Sequence, residues 1–268
     1  MRAYRIAYDG RPFHGFQRQP DVPTVEDAIL DALRDLDALE GEIPEEYAAA
    51  GRTDAGVSAL AQTVAFAAPD WLTPAALNGE LPAEVRAWAS ADVPDEFHAT
   101  HDATAREYTY FLHAPDASVT RAREALEALA GEHDFHNLTP DETNTVRDLA
   151  GTVSRDGPFL VVRLSAGGFA RQLVRRVVSV IAECARGEAG PERVERVLSS
   201  DSLPGPEGVA PAPPHPLVLT DVTYPDLSFT VDEEAAASAR AVFEDARTAA
   251  ATRARVAGLL ADCGGTVE

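Results

Sequence analysis

The chain of 268 residues carries 44 acidic against 23 basic residues, a formal net charge of −21, and is 45 % hydrophobic and 25 % charged. That length and apolar fraction suffice to bury a full core, in one domain or in two closely packed ones. Residues 1–30 lack a basic-then-apolar leader and no run of 18 apolar residues occurs, so neither secretion nor membrane spanning is supported and a cytoplasmic location is expected.

In chain order, "RAYRIAY" (2–8) alternates like a half-buried strand and runs into the turn "DGRP". "TVEDAILDALRDL" follows, with Thr24 and Asp27 spaced as a capping box and Val25, Ile29, Leu33 and Leu36 on one face, the pattern of an amphipathic helix. Residues 62–68 and 85–93 are expected as strands around a short helix near "TPAALNGEL". The second half repeats the theme: a strand at 106–114, a helix at 120–131 ended by Gly131, a strand at 158–166 and a helix over "GFARQLVRRVVSVIAECARG". A last strand, "PLVLTDVTY", ends at Tyr224 after a loop (200–216) rich in proline and glycine. Residues 227–268 are expected as one or two surface helices.

Cys184 and Cys263 are too few for a disulfide framework or a cysteine-rich zinc site. All 23 basic residues are arginine, and so acidic a surface suits molar salt, where the Debye length falls to ~3 Å. The charge taken whole argues against a nucleic-acid partner. Its distribution argues the other way: residues 1–20 hold Arg2, Arg5, Arg11 and Arg18 against Asp9, and residues 160–182 hold Arg163, Arg171, Arg175 and Arg176 against no acid.

Within "AGRTDAGV", Asp54 has two readings. It is a turn residue bonding nearby amides, or a carboxylate exposed to a substrate by a loop that Gly51 and Gly56 bend. Arg52 sits close enough in sequence to pair with it or to contact a phosphate. "HATH" and "HDFH" offer four imidazoles to a metal, but residues three apart on an extended chain face opposite ways, so no metal site is expected. Arg171 and Arg175, spaced i and i+4, share a face on the expected helix, beside a glycine pair that suits an anionic ligand. Tyr108 and Tyr110 share one face of a strand, either as core or with one ring open to stack on a base.

"YDGRPFHGFQRQPDVPTVEDAI", "AGRTDAGVSALAQ", "FHATHDATAREYTY", "GEHDFHNL", "GGFARQLVRRVV" and "LVLTDVTYP" together resemble the TruA-type tRNA pseudouridine synthases over residues 4–225. The resemblance implies that Asp54 is the essential catalytic aspartate and that Arg52 helps draw out the target nucleotide. It implies further that Tyr108 packs on the target base and that Arg175 pairs with the catalytic carboxylate. Gln17, Phe169 and Arg171, in the matching stretches, are expected to bind substrate. Such enzymes isomerise uridine to pseudouridine in the anticodon stem-loop of tRNA (positions 38–40), without metal or cofactor, as homodimers with a positively charged RNA cleft. Where the family usually has histidine after "GRTDAGV", this chain has Ser58, which bears on the support of the loop.

The expected fold is α/β (α+β), two similar sheet-and-helix halves with mainly antiparallel sheets meeting at a central RNA-binding cleft. The boundaries are 1–103 for the half with the aspartate loop, 104–226 for the half with the tyrosine and arginine helix, and 227–268 for an acidic, alanine-rich extension. Two other functions stay open: an RNA-binding module without catalysis, and a metal-dependent hydrolase built on Asp54 and the histidine pairs.

Overall fold

In the computed structural model, which describes residues 1–203 and 205–263, the alternation near the start becomes strand β1 (Arg2–Tyr8), but the strand is not half-buried as expected: Ala3 to Tyr8 are all buried, since β1 is an interior strand covered on both faces. Helix α1 (Val25–Asp35) begins where its cap dictates: the Thr24 hydroxyl accepts the Asp27 backbone N–H at 3.2 Å and donates to the Asp27 carboxylate at 2.5 Å. A cap of this kind contributes ~1 kcal/mol. Val25, Ile29 and Leu33 are fully buried. Strands β2 (Ala48–Ala49) and β3 (Ser58–Phe66), helix α2 (Pro74–Glu80) and strand β4 (Val85–Asp92) complete the first half. β3 starts four residues before the expected strand, because Ser58 and Ala59 pair with Val218 and Leu219.

The second half opens with β5 (Ala105–His113) and α3 (Val119–Leu129). Gly131, at φ 92°, turns the chain out of α3 into β6 (Gly131–Asp134), a conformation that side chains disfavour. Strands β7 (Val146–Asp156) and β8 (Phe159–Ala166), helices α4 (Leu173–Arg186) and α5 (Pro191–Val197) and strand β9 (Leu217–Thr223) follow. After Tyr224 come β10 (Thr230–Val231) and a single helix, α6 (Glu233–Ala261), capped by Asp232 and buried only through Ala235, Ala236 and Ala239. Pro204 of the proline-rich loop and residues 264–268 of the extension lie outside the described residues. That loop runs along α4, where Ser179 Oγ donates to the Ala210 carbonyl at 2.8 Å and Ala212 N–H to the Arg175 carbonyl at 3.1 Å.

The α/β class is as expected, and the sheets of the two halves are continuous. One ten-stranded sheet runs β10-β4-β1-β3-β9-β5-β8-β7-β6, with β2 paired to β3. Its neighbours are antiparallel except β3 and β9, which run parallel at the centre. One core gathers Tyr4, Ile6, Ile29, Leu33 and Val64; the other gathers Tyr110, Leu126, Val162, Val177 and Ile181. Each fully buried Val, Leu or Ile contributes ~1.5–3 kcal/mol. Tyr108 packs against both cores, so it stands at the seam. Among the described residues no helix is long and apolar enough to cross a membrane.

Candidate active site

Asp54 lies in the loop that leads into β3, beside the central parallel pair, and the backbone of this loop is held on almost every residue. The Gly51 carbonyl accepts from Gln62 Nε2 at 2.7 Å, the Thr53 carbonyl from Phe16 N–H at 3.1 Å, and the Asp54 carbonyl from Val57 N–H at 3.1 Å. The buried Tyr8 hydroxyl shares a 2.8 Å hydrogen bond with Thr53 Oγ1. Gly56 sits at φ 79° with the His215 ring against it, where a Cβ would come within 2.9 Å of Nδ1. Ser58 Oγ accepts the Gly10 N–H at 3.0 Å and so ties the N-terminal turn to this loop. A rigid support of this kind is what a carboxylate needs to keep one orientation.

The ion partner of Asp54 is Arg175 rather than Arg52. Arg175 Nη1 donates to Asp54 Oδ2 at 2.8 Å, and its Nε donates to the Ala212 carbonyl at 2.6 Å, so two contacts fix the guanidinium. Its side chain is 13 % exposed and that of Asp54 29 %, which leaves the carboxylate partly open to a ligand. Arg175 is in the first turn of α4, but the helix begins at Leu173 and not at Gly168. Gln172, at φ 61°, breaks the helical path, so Phe169 and Arg171 lie in the preceding loop and Arg171 does not share a helix face with Arg175. Arg171 instead pairs with Asp141, its Nε 3.3 Å from Oδ1.

Asp54 and Arg175 line a cleft of about 1190 Å³. Tyr108 and Phe169 form another part of its wall, edge to face with centroids 5.3 Å apart and planes at 88°. Tyr108 is half-buried, whereas Tyr110 is core, its hydroxyl bonded to the Pro213 carbonyl at 3.1 Å. Burial pushes the Tyr108 phenol up to about 12; the Asp54 charge adds to the rise and the Arg106 guanidinium opposes it. Arg52 and Gln17 are exposed at the same cleft, as is Arg171. All seven residues singled out in the sequence thus meet in one place. Among the described residues Arg52 makes no ion pair, while Arg2, Arg5, Arg11 and Arg18 are each paired, with Asp92, Asp221, Asp9 and Asp27. The basic N-terminal segment is therefore largely spent on the chain's own carboxylates.

Sequence reasoning passed over Arg106, Gln62 and Asp141. Arg106 was legible: it is in phase with Tyr108 and Tyr110 along β5, so alternation alone puts it on their face. The rings of His98 and His101, tilted at 38° with centroids 4.2 Å apart, are outside the cleft lining, and among the described residues no group of three or more His, Cys, Asp or Glu side chains is placed to hold a metal.

A tRNA pseudouridine synthase family model matches residues 125–225. A tRNA pseudouridine synthase A of Haloarcula marismortui is 61 % identical over 98 % of this chain and 99 % of its own length. That of Natronomonas pharaonis is also 61 % identical, over 97 % of this chain and 98 % of its own. Among solved structures, a crystal structure of the archaeal box H/ACA sRNP Nop10-Cbf5 complex is similar at 14 % identity and TM-score 0.35, over 68 % of this chain and 43 % of that one. The chain belongs to the tRNA pseudouridine synthase A family, isomerases that act on uridine in tRNA. The relatives come from halophilic archaea, in keeping with the acidic, lysine-free composition.

Proposed function

We propose that the chain isomerises uridine to pseudouridine in the anticodon stem-loop of tRNA, at positions 38–40, with the Asp54 carboxylate as the catalytic group. The observation that carries this reading is the Asp54–Arg175 ion pair at 2.8 Å in the cleft that the Tyr108–Phe169 pair also walls. Uracil must leave the ribose C1′, turn while held, and reattach through C5. That sequence needs an oriented carboxylate beside the sugar and a flat apolar wall against the loose base, and the cleft supplies both. A stem base must first be flipped out at a cost of a few kcal/mol. Stacking on Tyr108 offsets ~1–3 kcal/mol of it. The Tyr108 phenol, at about 12, stays neutral at physiological pH and can donate a hydrogen bond.

Arg175 holds the carboxylate from one side and leaves Oδ1 for the nucleotide. Arg52, exposed at the rim, enters the space that the flipped nucleotide vacates, and Gln17, Phe169 and Arg171 grip the strand around it. Residues 1–103 bring the aspartate loop and residues 104–226 the tyrosine and the arginine helix. The enzyme works in the cytoplasm as a homodimer, without metal or cofactor. The test is pseudouridine mapping on an unmodified tRNA transcript, in molar potassium chloride with excess chelator. Product confined to the anticodon stem-loop is expected. Folded protein that binds tRNA without product would replace this reading by a non-catalytic RNA-binding module.

A further inference from the structure

Arg106 enters the cleft wall from β5, two residues before Tyr108, and it is 8 % exposed. A guanidinium has five N–H donors in a planar fork. Here all five are used, and every acceptor is a backbone carbonyl. Nε donates to Ala50 at 3.3 Å, Nη1 to Ala103 at 3.1 Å and Gly167 at 2.6 Å, and Nη2 to Ala50 at 3.0 Å and Thr100 at 2.5 Å. Arg5 and Arg175, also well covered, have carboxylate partners. Arg106 makes no ion pair among the described residues, so this is a buried cation kept for its donors.

The acceptors lie on three segments, and this one side chain reaches all of them. Ala50 precedes Gly51 and the Asp54 loop. Thr100 and Ala103 belong to a turn that grips the same stretch, since Thr100 Oγ1 donates to the Ala49 carbonyl at 2.5 Å. Gly167 opens the segment that carries Phe169 and Arg171 and delivers Arg175 to α4. Asp54 and its partner arrive from opposite halves of the chain, and one side chain bolts both backbones together. Burial of a charge without a counter-ion is costly unless hydrogen bonds satisfy it, and only the full set of carbonyls does so. Neither lysine, a point charge with three donors, nor a neutral amide could span them.

We infer that Arg106 is a positioning residue for the isomerisation: its guanidinium sets the register between the Asp54 loop and the Phe169–Arg175 segment. This rests on the reading of Asp54 as the catalytic group. Loss of the bolt shifts the carboxylate relative to the ribose without removing any group that grips tRNA. A misplacement of about 1 Å costs on the order of 10²-fold in rate.

Arg106→Lys, Arg106→Gln and Arg106→Ala should lower kcat by on the order of 10²-fold while KM for tRNA stays within about threefold. Millimolar guanidinium ion should restore a substantial part of the Arg106→Ala rate, and ethylammonium should not; a role in stability alone predicts no such rescue. Should Arg106→Ala fail to fold, Arg106→Lys decides by its kcat-to-KM split in protein with wild-type circular dichroism. Wild-type kcat in the folded variants, or a kcat loss that guanidinium leaves unchanged, overturns the inference. Asp54→Asn run in parallel separates the two levels. An active Asp54→Asn defeats the reading of the site itself; an inactive one beside a fully active Arg106→Lys defeats only the role of Arg106.

Discussion

Arg175 Nη1 meets Asp54 Oδ2 at 2.8 Å across 121 positions of sequence, and both side chains are mostly buried at the seam of the two halves. Removing one partner leaves the other partly desolvated and free to turn, a cost of ~1–3 kcal/mol. Arg175→Gln should therefore lower kcat by about 10- to 10²-fold with little change in tRNA affinity. Single-turnover kinetics alongside a binding isotherm check this, and an unchanged rate would break the proposed role of the pair.

Tyr108 divides into a ring and a hydroxyl. Tyr108→Phe keeps the surface that packs on Phe169, whereas Tyr108→Ala removes it. If the ring holds the flipped base, alanine should cost ~1–3 kcal/mol in kcat/KM and phenylalanine much less. Equal losses in the two variants would assign the work to the hydroxyl instead.

Arg52 is exposed, with no ion pair among the described residues, so its charge is available to a phosphate. Arg52→Ala should weaken tRNA binding and flatten the plot of log affinity against log salt by about 0.7 to 0.9 for each phosphate that the arginine neutralises. Titrations across a range of potassium chloride give that slope. A slope identical to wild type would remove Arg52 from the phosphate-binding groups.

All six tyrosines, chiefly through burial, have phenols raised above the ordinary value near 10, Tyr108 and Tyr224 to about 12. A raised folded-state pKa means that the native state holds protons which the unfolded state releases. This contribution to stability is complete below pH 10 and is lost as pH climbs from 10 towards 12. Native protein at pH 10 should accordingly show almost no phenolate absorbance, and its unfolding midpoint in denaturant should fall steeply above that pH. Phenolate appearing with the native fold intact near pH 10 would contradict it.

Much of the scaffold was legible because local chemistry and tertiary packing agree. The Thr24 cap, the alternation in β1 and the apolar stripe of α1 each point to the element that forms. β7 was not legible: only Leu149 and Val153 of its eleven residues are buried, too thin a signal to stand out from polar neighbours. The start of α4 was misplaced because Gln172 takes a left-handed conformation that its own side chain does not announce. At the site, "GRTDAGV" marks the bent loop, but local spacing left Arg52 open as a partner of Asp54 or of a phosphate. Arg175 could be matched to that role only through the family resemblance, since packing across the seam has no local trace.

The proposed catalytic role of Asp54 is put at risk most sharply by the single-turnover rate of Asp54→Asn on an unmodified tRNA transcript, measured with its tRNA affinity. The substitution keeps size and removes the charge that faces Arg175. No pseudouridine above background is expected, with an affinity within a few-fold of wild type. Pseudouridine formed at the wild-type rate would contradict that role, because no carboxylate would then be needed where Asp54 stands.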